Sequence, residues 1–253
     1  MTRIDWPAAS AIACRRPRRG VVRFAAAAAW LLTLGVLVGC AGPGVSDGLP
    51  AAAPTLHVGD RWIYHGEDGF RQKVIWEETH EITAIDADGV HVRVTLKNPT
   101  LDIERTELWV APGSVKVGAL MDIETRRFTV PLERYRFPLE RGETWNQRVD
   151  NYNETARREG QISRFARVDG WEKIATPAGT FDALRIRIIM RLDDDEFWRT
   201  ATECNYLVWY VPDIGATVRE DKQAQYLLRD GMNSVMVRAQ YTFLELDSFT
   251  RGK

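Results

Sequence analysis

Cysteine is scarce, and the sequence offers no pair for a disulfide within the folded part of the chain. Only three cysteines occur in 253 residues. Cys14 precedes a predicted cleavage point and Cys40 lies directly after it, which leaves Cys204. A catalytic thiol requires a basic partner such as histidine. Cys204 instead lies in a predicted strand, so we interpret it as a buried, unreactive thiol.

Long helical patterns are also missing. No stretch repeats its apolar residues every 3.6 positions over three turns, so any helix should be short. Residues 90–96 and 184–192 instead alternate apolar and polar side chains, and Gly-, Pro- and Asp-rich turns separate such stretches. This period-2 pattern predicts strands with one buried face. We therefore expect an all-β protein with a large, curved antiparallel sheet, a half-barrel or open barrel, and few short helices.

Motifs for common chemistry are absent as well. The sequence has no Gly-x-Ser-x-Gly elbow and no phosphate-binding glycine loop. The histidines at 57, 65, 80 and 91 lack zinc-site spacing, and the acidic run 193–196 lacks the spacing of a calcium loop. We expect no metal, no cofactor and no catalytic residue, so the chain is predicted not to be an enzyme. A hydrolase with a scattered carboxylate pair stays open as a third alternative.

The N-terminal segment has the order of a secretory signal. Five residues rich in arginine, 15–19, and Arg23 precede an apolar run over 24–38 that ends in Leu-Val-Gly-Cys. The run has 15 residues, fewer than the roughly 20 that cross a bilayer as a helix. A Leu-x-Gly-Cys ending resembles the lipobox of bacterial lipoproteins. The resemblance implies cleavage between Gly39 and Cys40, acylation of Cys40 with chains such as palmitate, and, from Ala41, sorting to the outer membrane.

The segments on either side of the cleavage point define the predicted organisation. Residues 1–39 form the lipoprotein signal peptide, and 40–55 form the acylated cysteine and a flexible, Gly/Pro-rich tether. Residues 56–253 form a single β-rich domain. Without residues 1–39 the chain has 28 basic and 34 acidic residues, a net charge of −6. Nucleic acid is not expected as a partner, because its phosphates require a basic surface.

Two separated segments resemble a known group of proteins. A Pro-Ala-Gly-x-Phe turn and strand lies within 176–183, and a Trp-Tyr-x-Pro-x-x-Gly segment lies within 209–218. A Gly-acid-x-Trp pattern occurs twice, at 59–62 and 142–145. Together they resemble bacterial exported β-rich lipoproteins of unknown function, among them the TapB-like proteins. The resemblance implies a curved antiparallel sheet over about residues 56–249, and it brings no catalytic residues.

One predicted strand has an apolar face and a cationic face. Leu184, Ile186, Ile188 and Met190 should point inward, whereas Arg185, Arg187 and Arg191 share the outer face. Arginines this close repel one another unless negative charge lies opposite them. Two interpretations remain: acidic residues of neighbouring strands pair with them, or the three arginines bind an anionic ligand such as a lipid headgroup, lipopolysaccharide or cell-wall polymer.

These observations predict a lipoprotein of the bacterial cell envelope, anchored in the outer membrane and facing the periplasm. Its expected partners are the membrane, through the lipid, and an envelope protein or an anionic cell-wall or lipid component. We expect a non-catalytic binding or envelope-assembly module. The alternative is a carrier of a lipid or another hydrophobic ligand, for which the many large aromatic side chains could form an apolar interior.

Replacing the predicted acylated residue tests the anchor. Cys40→Ser removes the thiol that accepts the first lipid, so the variant should not incorporate labelled palmitate and should leave the outer-membrane fraction. A second cysteine variant, Cys204→Ser, is the control and should be labelled normally. A Cys40→Ser protein that still sediments with outer membranes after a high-salt wash would contradict the lipobox interpretation.

Overall fold

The computed structural model describes residues 44–70, 74–121, 124–230 and 233–253. The predicted signal peptide, its cleavage point and Cys40 lie outside these ranges. Within them the secondary structure consists of β-strands and one 3-10 turn, Pro212–Ile214, which confirms the all-β class. No helix in the described ranges is both long and apolar enough to span a membrane.

Twelve antiparallel strands in these ranges close into a barrel in which each strand pairs with its neighbours in sequence, and β1 pairs with β12. The strands are β1 Arg61–Asp68, β2 Ile75–Asp86, β3 Gly89–Asn98, β4 Leu101–Ala111, β5 Ser114–Gly118, β6 Arg126–Glu133, β7 Thr144–Asn153, β8 Arg158–Thr176, β9 Gly179–Leu192, β10 Glu203–Val211, β11 Ala216–Asp230 and β12 Asn233–Thr250.

Closure corrects the expected half-barrel or open barrel. Trp62 of β1 lies opposite Phe249 of β12 on one side and opposite His80 of β2 on the other. Both sides of β1 are therefore hydrogen-bonded, and the sheet has no open edge there. Alternation in the sequence reports which face of a strand is buried but not which strand lies beside it, so closure has no local signal.

The alternating strands place their apolar side chains inside the barrel as predicted. Val90, Val92, Val94 and Leu96 of β3 are all buried, and so are Leu184, Ile186, Ile188, Met190 and Leu192 of β9. Two apolar clusters fill much of the interior, one around Trp62, Ile82 and Leu246 and the other around Phe128, Trp145 and Leu184. The space between and beside these clusters determines where a ligand could bind.

The first Gly-acid-x-Trp segment leads into β1. Gly59 has a φ of +87°, which favours glycine, and its N–H donates to the Ile82 carbonyl at 2.8 Å. The Asp60 carbonyl accepts from the Ile82 N–H at 2.9 Å. Trp62 follows two residues later and is buried. The segment thus extends the β1–β2 pairing through a glycine turn and leads directly into a core tryptophan.

The second Gly-acid-x-Trp segment has the same geometry. Gly142 has a φ of +85°, and its N–H donates to the Val168 carbonyl at 2.8 Å. The Glu143 carbonyl accepts from the Val168 N–H at 3.0 Å, and Trp145 is buried. The short sequence repeat is therefore a structural repeat, placed at the starts of β1 and β7, which are six strands apart.

The described part of the predicted tether, residues 44–55, lies against the barrel. Ser46 forms an antiparallel bridge with Trp171, and Ala51 forms another with Leu139. Ala51 is buried, and the Trp171 indole N–H donates to the Leu49 carbonyl at 3.2 Å. From residue 46 onward this segment is therefore an attached strap and not a flexible tether. Its composition predicts flexibility, but two backbone bridges and a buried methyl group fix it.

Gly215 provides a test of the predicted turn after β10. Its φ is +66°, and a Cβ added there would lie 3.1 Å from Leu56 and 3.2 Å from Pro54. Gly215→Ala should lower the free energy of unfolding by about 1–2 kcal/mol, the cost of a left-handed L-residue. Urea denaturation measures it, with Gly160→Ala as the control, because Gly160 lacks a positive φ and has room for a methyl group. Equal stability of the two variants would contradict the strain argument.

Candidate functional site

Strands β2 and β4 direct charged side chains into the barrel. Glu78 and His80 lie on the inward face of β2 together with Trp76 and Ile82, because alternate residues of a strand share a face. Arg105 and Glu107 of β4 follow the same alternation and lie opposite Val94 and Val92 of β3. The interior is therefore not a uniformly apolar core, and ionised groups enter it from two strands that flank β3, whose inward face is apolar.

These groups form a network of ion pairs. The His80 imidazole Nε2 lies 2.6 Å from Glu78 Oε1. The Arg105 guanidinium bridges the two strands, at 3.5 Å from Glu78 and 3.6 Å from Glu107. Glu107 also accepts hydrogen bonds from the Trp109 indole at 2.9 Å and from the Arg134 guanidinium at 3.2 Å. Each buried carboxylate thus has at least two positively charged or N–H partners.

The partners keep both carboxylates ionised. Burial alone would raise the pKa of Glu78, but the hydrogen bond and charge of His80 and the charge of Arg105 outweigh it and lower the pKa to about 2. Burial is likewise opposed at Glu107, where Arg134 and Arg105 lower the pKa to about 2. Neither carboxyl group holds a proton near neutral pH, so neither is suited to act as a general acid.

Arg164 reaches the interior from β8, on the far side of this network. Its side chain is buried, and its guanidinium donates to the backbone carbonyls of Glu133 and Arg134, at 2.9 Å each. The guanidinium also lies over the Trp145 ring, 5.7 Å from its centroid. Burial lowers the pKa of Arg164 to about 10, and the nearby positive charge of Arg134 acts in the same direction. Arg164 therefore remains a cation at neutral pH.

Strand β11 adds a further ion pair. Lys222 Nζ lies 2.5 Å from Glu220 Oε2 and 5.9 Å from the centre of the Tyr206 ring. The Tyr206 hydroxyl donates to the Gln240 side chain at 2.7 Å. Side chains from β2, β4, β8, β10 and β11 therefore converge within one interior region.

A cavity of about 140 Å³ lies among these groups. Its polar wall consists of the network residues, Arg164 and the Glu220–Lys222 pair. Its apolar wall includes Val115, Leu120, Met121, Ile188 and Val208. Pro54 of the strap, Leu56 just after it and the turn residues Gly113 and Gly215 border it at the end of the barrel where β1 begins. A cavity lined by both charged and apolar groups suits an amphipathic ligand.

None of these interior residues is among those that the sequence patterns identify as candidates. A signal for them exists: Glu78, Arg105 and Arg164 each fall in phase with buried or partly buried apolar residues of their own strands, two positions from Trp76, Ile103 and Ile162. A charge at an inward position of an alternating strand marks either a buried ion pair or a site. The signal is weak for β4, whose outward positions are also charged, so its two faces look alike in sequence.

The three outer arginines do not behave alike. Arg185 pairs with Asp169 at 3.1 Å and with Glu172 at 3.3 Å, so cross-strand pairing is confirmed for this residue. Arg187 lies opposite Arg167 of β8. Among the described residues, neither Arg187 nor Arg191 has a carboxylate within 4.0 Å. The outer face therefore retains two cations for which binding of an anion remains a proposal.

The remaining candidate residues have structural surroundings. Cys204 is buried as predicted, and burial raises the pKa of its thiol to about 12. Within the acidic run 193–196, Asp194 accepts from Thr202 and pairs with Arg199 at 2.9 Å. The described ranges contain no cluster of three or more His, Cys, Asp or Glu side chains arranged to hold a metal ion.

No family model and no curated protein matches this chain. Two solved structures are similar to it. One, of a protein from Bacteroides fragilis described as exported and as having a YmcC-like fold, is 12% identical, covers 79% of this chain and 100% of its own, and gives a TM-score of 0.51. The other, of a protein from Parabacteroides distasonis described as a lipoprotein, is 14% identical, covers 80% and 100%, and gives 0.47. The first similarity establishes a shared fold, and the TapB-like family is not confirmed.

The interior carboxylates should make stability depend on pH. Their pKa is about 2 in the folded chain and about 4.5 when unfolded. The folded state therefore binds fewer protons, and its stabilisation, complete above about pH 5, is lost as the pH falls toward about 2. Urea denaturation across this range should show a loss of a few kcal/mol.

Matched variants assign that loss to the network. Glu107→Gln should be less stable at neutral pH and should depend less steeply on pH, because one buried carboxylate no longer titrates. Glu104→Gln, on the exposed face of the same strand, should retain the steep dependence. An unchanged slope in Glu107→Gln would contradict the assignment.

Proposed function

We propose that this chain is a lipid-anchored protein of the bacterial cell envelope that acts as a non-catalytic binding module, with its ligand inside the barrel. The observation that carries the proposal is the cavity inside the barrel, which is lined by both charged and apolar side chains. The predicted lipobox and the exported description of the Bacteroides protein of similar fold support the envelope location. Outer-membrane sorting and a periplasmic orientation rest on Ala41 and belong to the same proposal.

The charge state of the interior favours binding over hydrolysis. A glycosidase or related hydrolase requires two carboxyl groups with different protonation states near neutral pH. Glu78 and Glu107 both have pKa values lowered to about 2 and both are held in ion pairs. Such groups fix geometry and charge, and they do not supply a transferable proton.

The size of the cavity favours a small ligand over a whole lipid. Sites for drug-sized molecules are typically about 300–1,000 Å³, whereas this cavity is about 140 Å³. A carrier of a full acyl lipid, the alternative from the sequence, would require displacement of core side chains. A ligand of a few to about ten non-hydrogen atoms requires none.

Native mass spectrometry of the protein extracted from membranes tests this function. We expect one small-molecule adduct for each chain, and its loss on denaturation. Met121→Trp, which places a larger side chain at the cavity wall, should lose the adduct and keep its fold by circular dichroism. Absence of an adduct in the native protein, or an adduct unaffected by Met121→Trp, would contradict an interior ligand.

A second function is favoured by the outer arginines. Arg187 lies directly opposite Arg167 without a carboxylate partner in the described part of the chain, a like-charge arrangement that an anion would stabilise. We propose that Arg187 and Arg191 contact an anionic component of the envelope, such as a lipid headgroup or a cell-wall polymer.

Substitution of these two arginines tests the outer face. Arg187→Gln combined with Arg191→Gln should weaken salt-sensitive sedimentation with phosphatidylglycerol vesicles or lipopolysaccharide. A control with the same loss of charge, Arg93→Gln combined with Arg127→Gln, removes arginines that already pair with Glu81 and Glu154. Equal binding by both double variants would show that the effect depends on net charge alone and would refute a specific face.

A further inference from the structure

Arg164 differs from the other cations that line the cavity. Arg105, Arg134 and Lys222 each have a glutamate within 4.0 Å. Arg164 has no carboxylate within that distance among the described residues. It is nevertheless almost fully buried, with only 5% of the residue exposed. A buried guanidinium usually has an ionised partner, because removing the charge from water is costly unless another charge compensates.

The direct contacts that Arg164 makes with the described residues are all with neutral groups. Its two hydrogen bonds are to neutral backbone carbonyls, and its third contact is the face of Trp145. The nearby Glu133 carboxylate is engaged by Arg136 at 2.5 Å. Arg134, whose own charge adds to that of Arg164, contacts Glu107 on the other side.

The charged side chains around the cavity also show an excess of positive charge. Among the described residues, three glutamates line it, at 78, 107 and 220, and four basic residues that are charged at neutral pH line it, at 105, 134, 164 and 222. One positive charge is in excess, before any protonation of His80. A monoanion would balance the interior, whereas a cation or a neutral molecule would not.

The geometry points to a binding site for a small organic anion: we propose that Arg164 binds the carboxylate or phosphate group of a ligand whose apolar part fills the cavity beside it. The inference names the ligand class for the interior site and rests on the function proposed above. Arginine suits either group because its donors match two oxygens at once. The cavity of about 140 Å³ is close to the roughly 150 Å³ that holds benzene in an engineered core, so the apolar part should not exceed one ring or a short acyl chain.

Calorimetry with four probes of one shape tests the preference for an anion. The delipidated protein is titrated with benzoate, phenyl phosphate, benzyl alcohol and benzylamine, and with inorganic phosphate to separate an organic anion from phosphate itself. Benzoate or phenyl phosphate should bind about tenfold to a hundredfold more tightly than benzyl alcohol, the range expected for a charge-assisted hydrogen bond. Benzylamine should bind no better than the alcohol. Equal affinity for the anion, the alcohol and the amine would overturn the inference.

Variants of Arg164 test the residue. Arg164→Met should lose that preference for the anion and remain folded, because the substitution removes a buried charge that has no carboxylate partner. Arg164→Lys keeps a charge without the forked donors, so it should bind benzoate with intermediate affinity. Arg148→Met, which removes an exposed arginine from the neighbouring strand β7, is the control and should bind as the wild type does. Unchanged benzoate affinity in Arg164→Met would overturn the inference.

Met121→Trp keeps the test decisive if Arg164→Met does not fold. It leaves every interior charge in place and narrows the cavity, so benzoate binding should be lost while the melting temperature is retained; retained binding would overturn the site.

The outcomes also separate the two proposals. A native adduct without Arg164-dependent anion binding supports the interior binding function and refutes the anion class. Arg164-dependent benzoate binding without a native adduct supports the site and refutes the proposed function.

Discussion

Compensation of charge inside a closed barrel is the constraint on which the rest of this structure depends. Inward side chains of the packed barrel are shielded from water, so an ionised group there is costly unless opposite charge or hydrogen bonds compensate it. Glu78 and Glu107 do so through Arg105, which contacts both of them. The network connects β2 and β4 through a common cation and makes part of the cavity lining polar. The two apolar clusters fill much of the remaining interior of the barrel.

The sequence is informative wherever structure follows from local chemistry. Alternation identifies the buried residues of β3 and β9, and the Pro and Gly near residue 215 identify a turn with positive φ. Closure of the barrel is not visible, because pairing of β1 with β12 joins residues nearly 190 positions apart, such as Trp62 and Phe249. The site is not visible either, because Arg164 and Arg134 come together only when β8 and the segment after β6 face the same cavity.

The repeated Gly-acid-x-Trp segments relate the two halves of the barrel and account for the position of Arg164. Ile82 and Val168 hold the same place, since each bonds to the glycine and to the acidic residue of its own segment. Four residues before them, on the same inward face, are Glu78 and Arg164. Corresponding positions thus carry opposite charges. The surroundings differ as well: the first half supplies Arg105 and His80 to Glu78, whereas the second half places Ala166 where the first has His80.

Pairing of the first strand with the last has a kinetic consequence. The β1 edge gains its β12 partner only after residues 242–250 are available, so the barrel cannot be completed before that part of the chain has been synthesised. Until then, β1 presents unpaired N–H and C=O groups, a template for pairing with other chains. Contacts this distant in sequence also make folding slow. Aggregation during folding should therefore depend on the time that passes before β1 pairs with β12. Loss of the last nine residues of β12 should abolish closure of the barrel rather than weaken it.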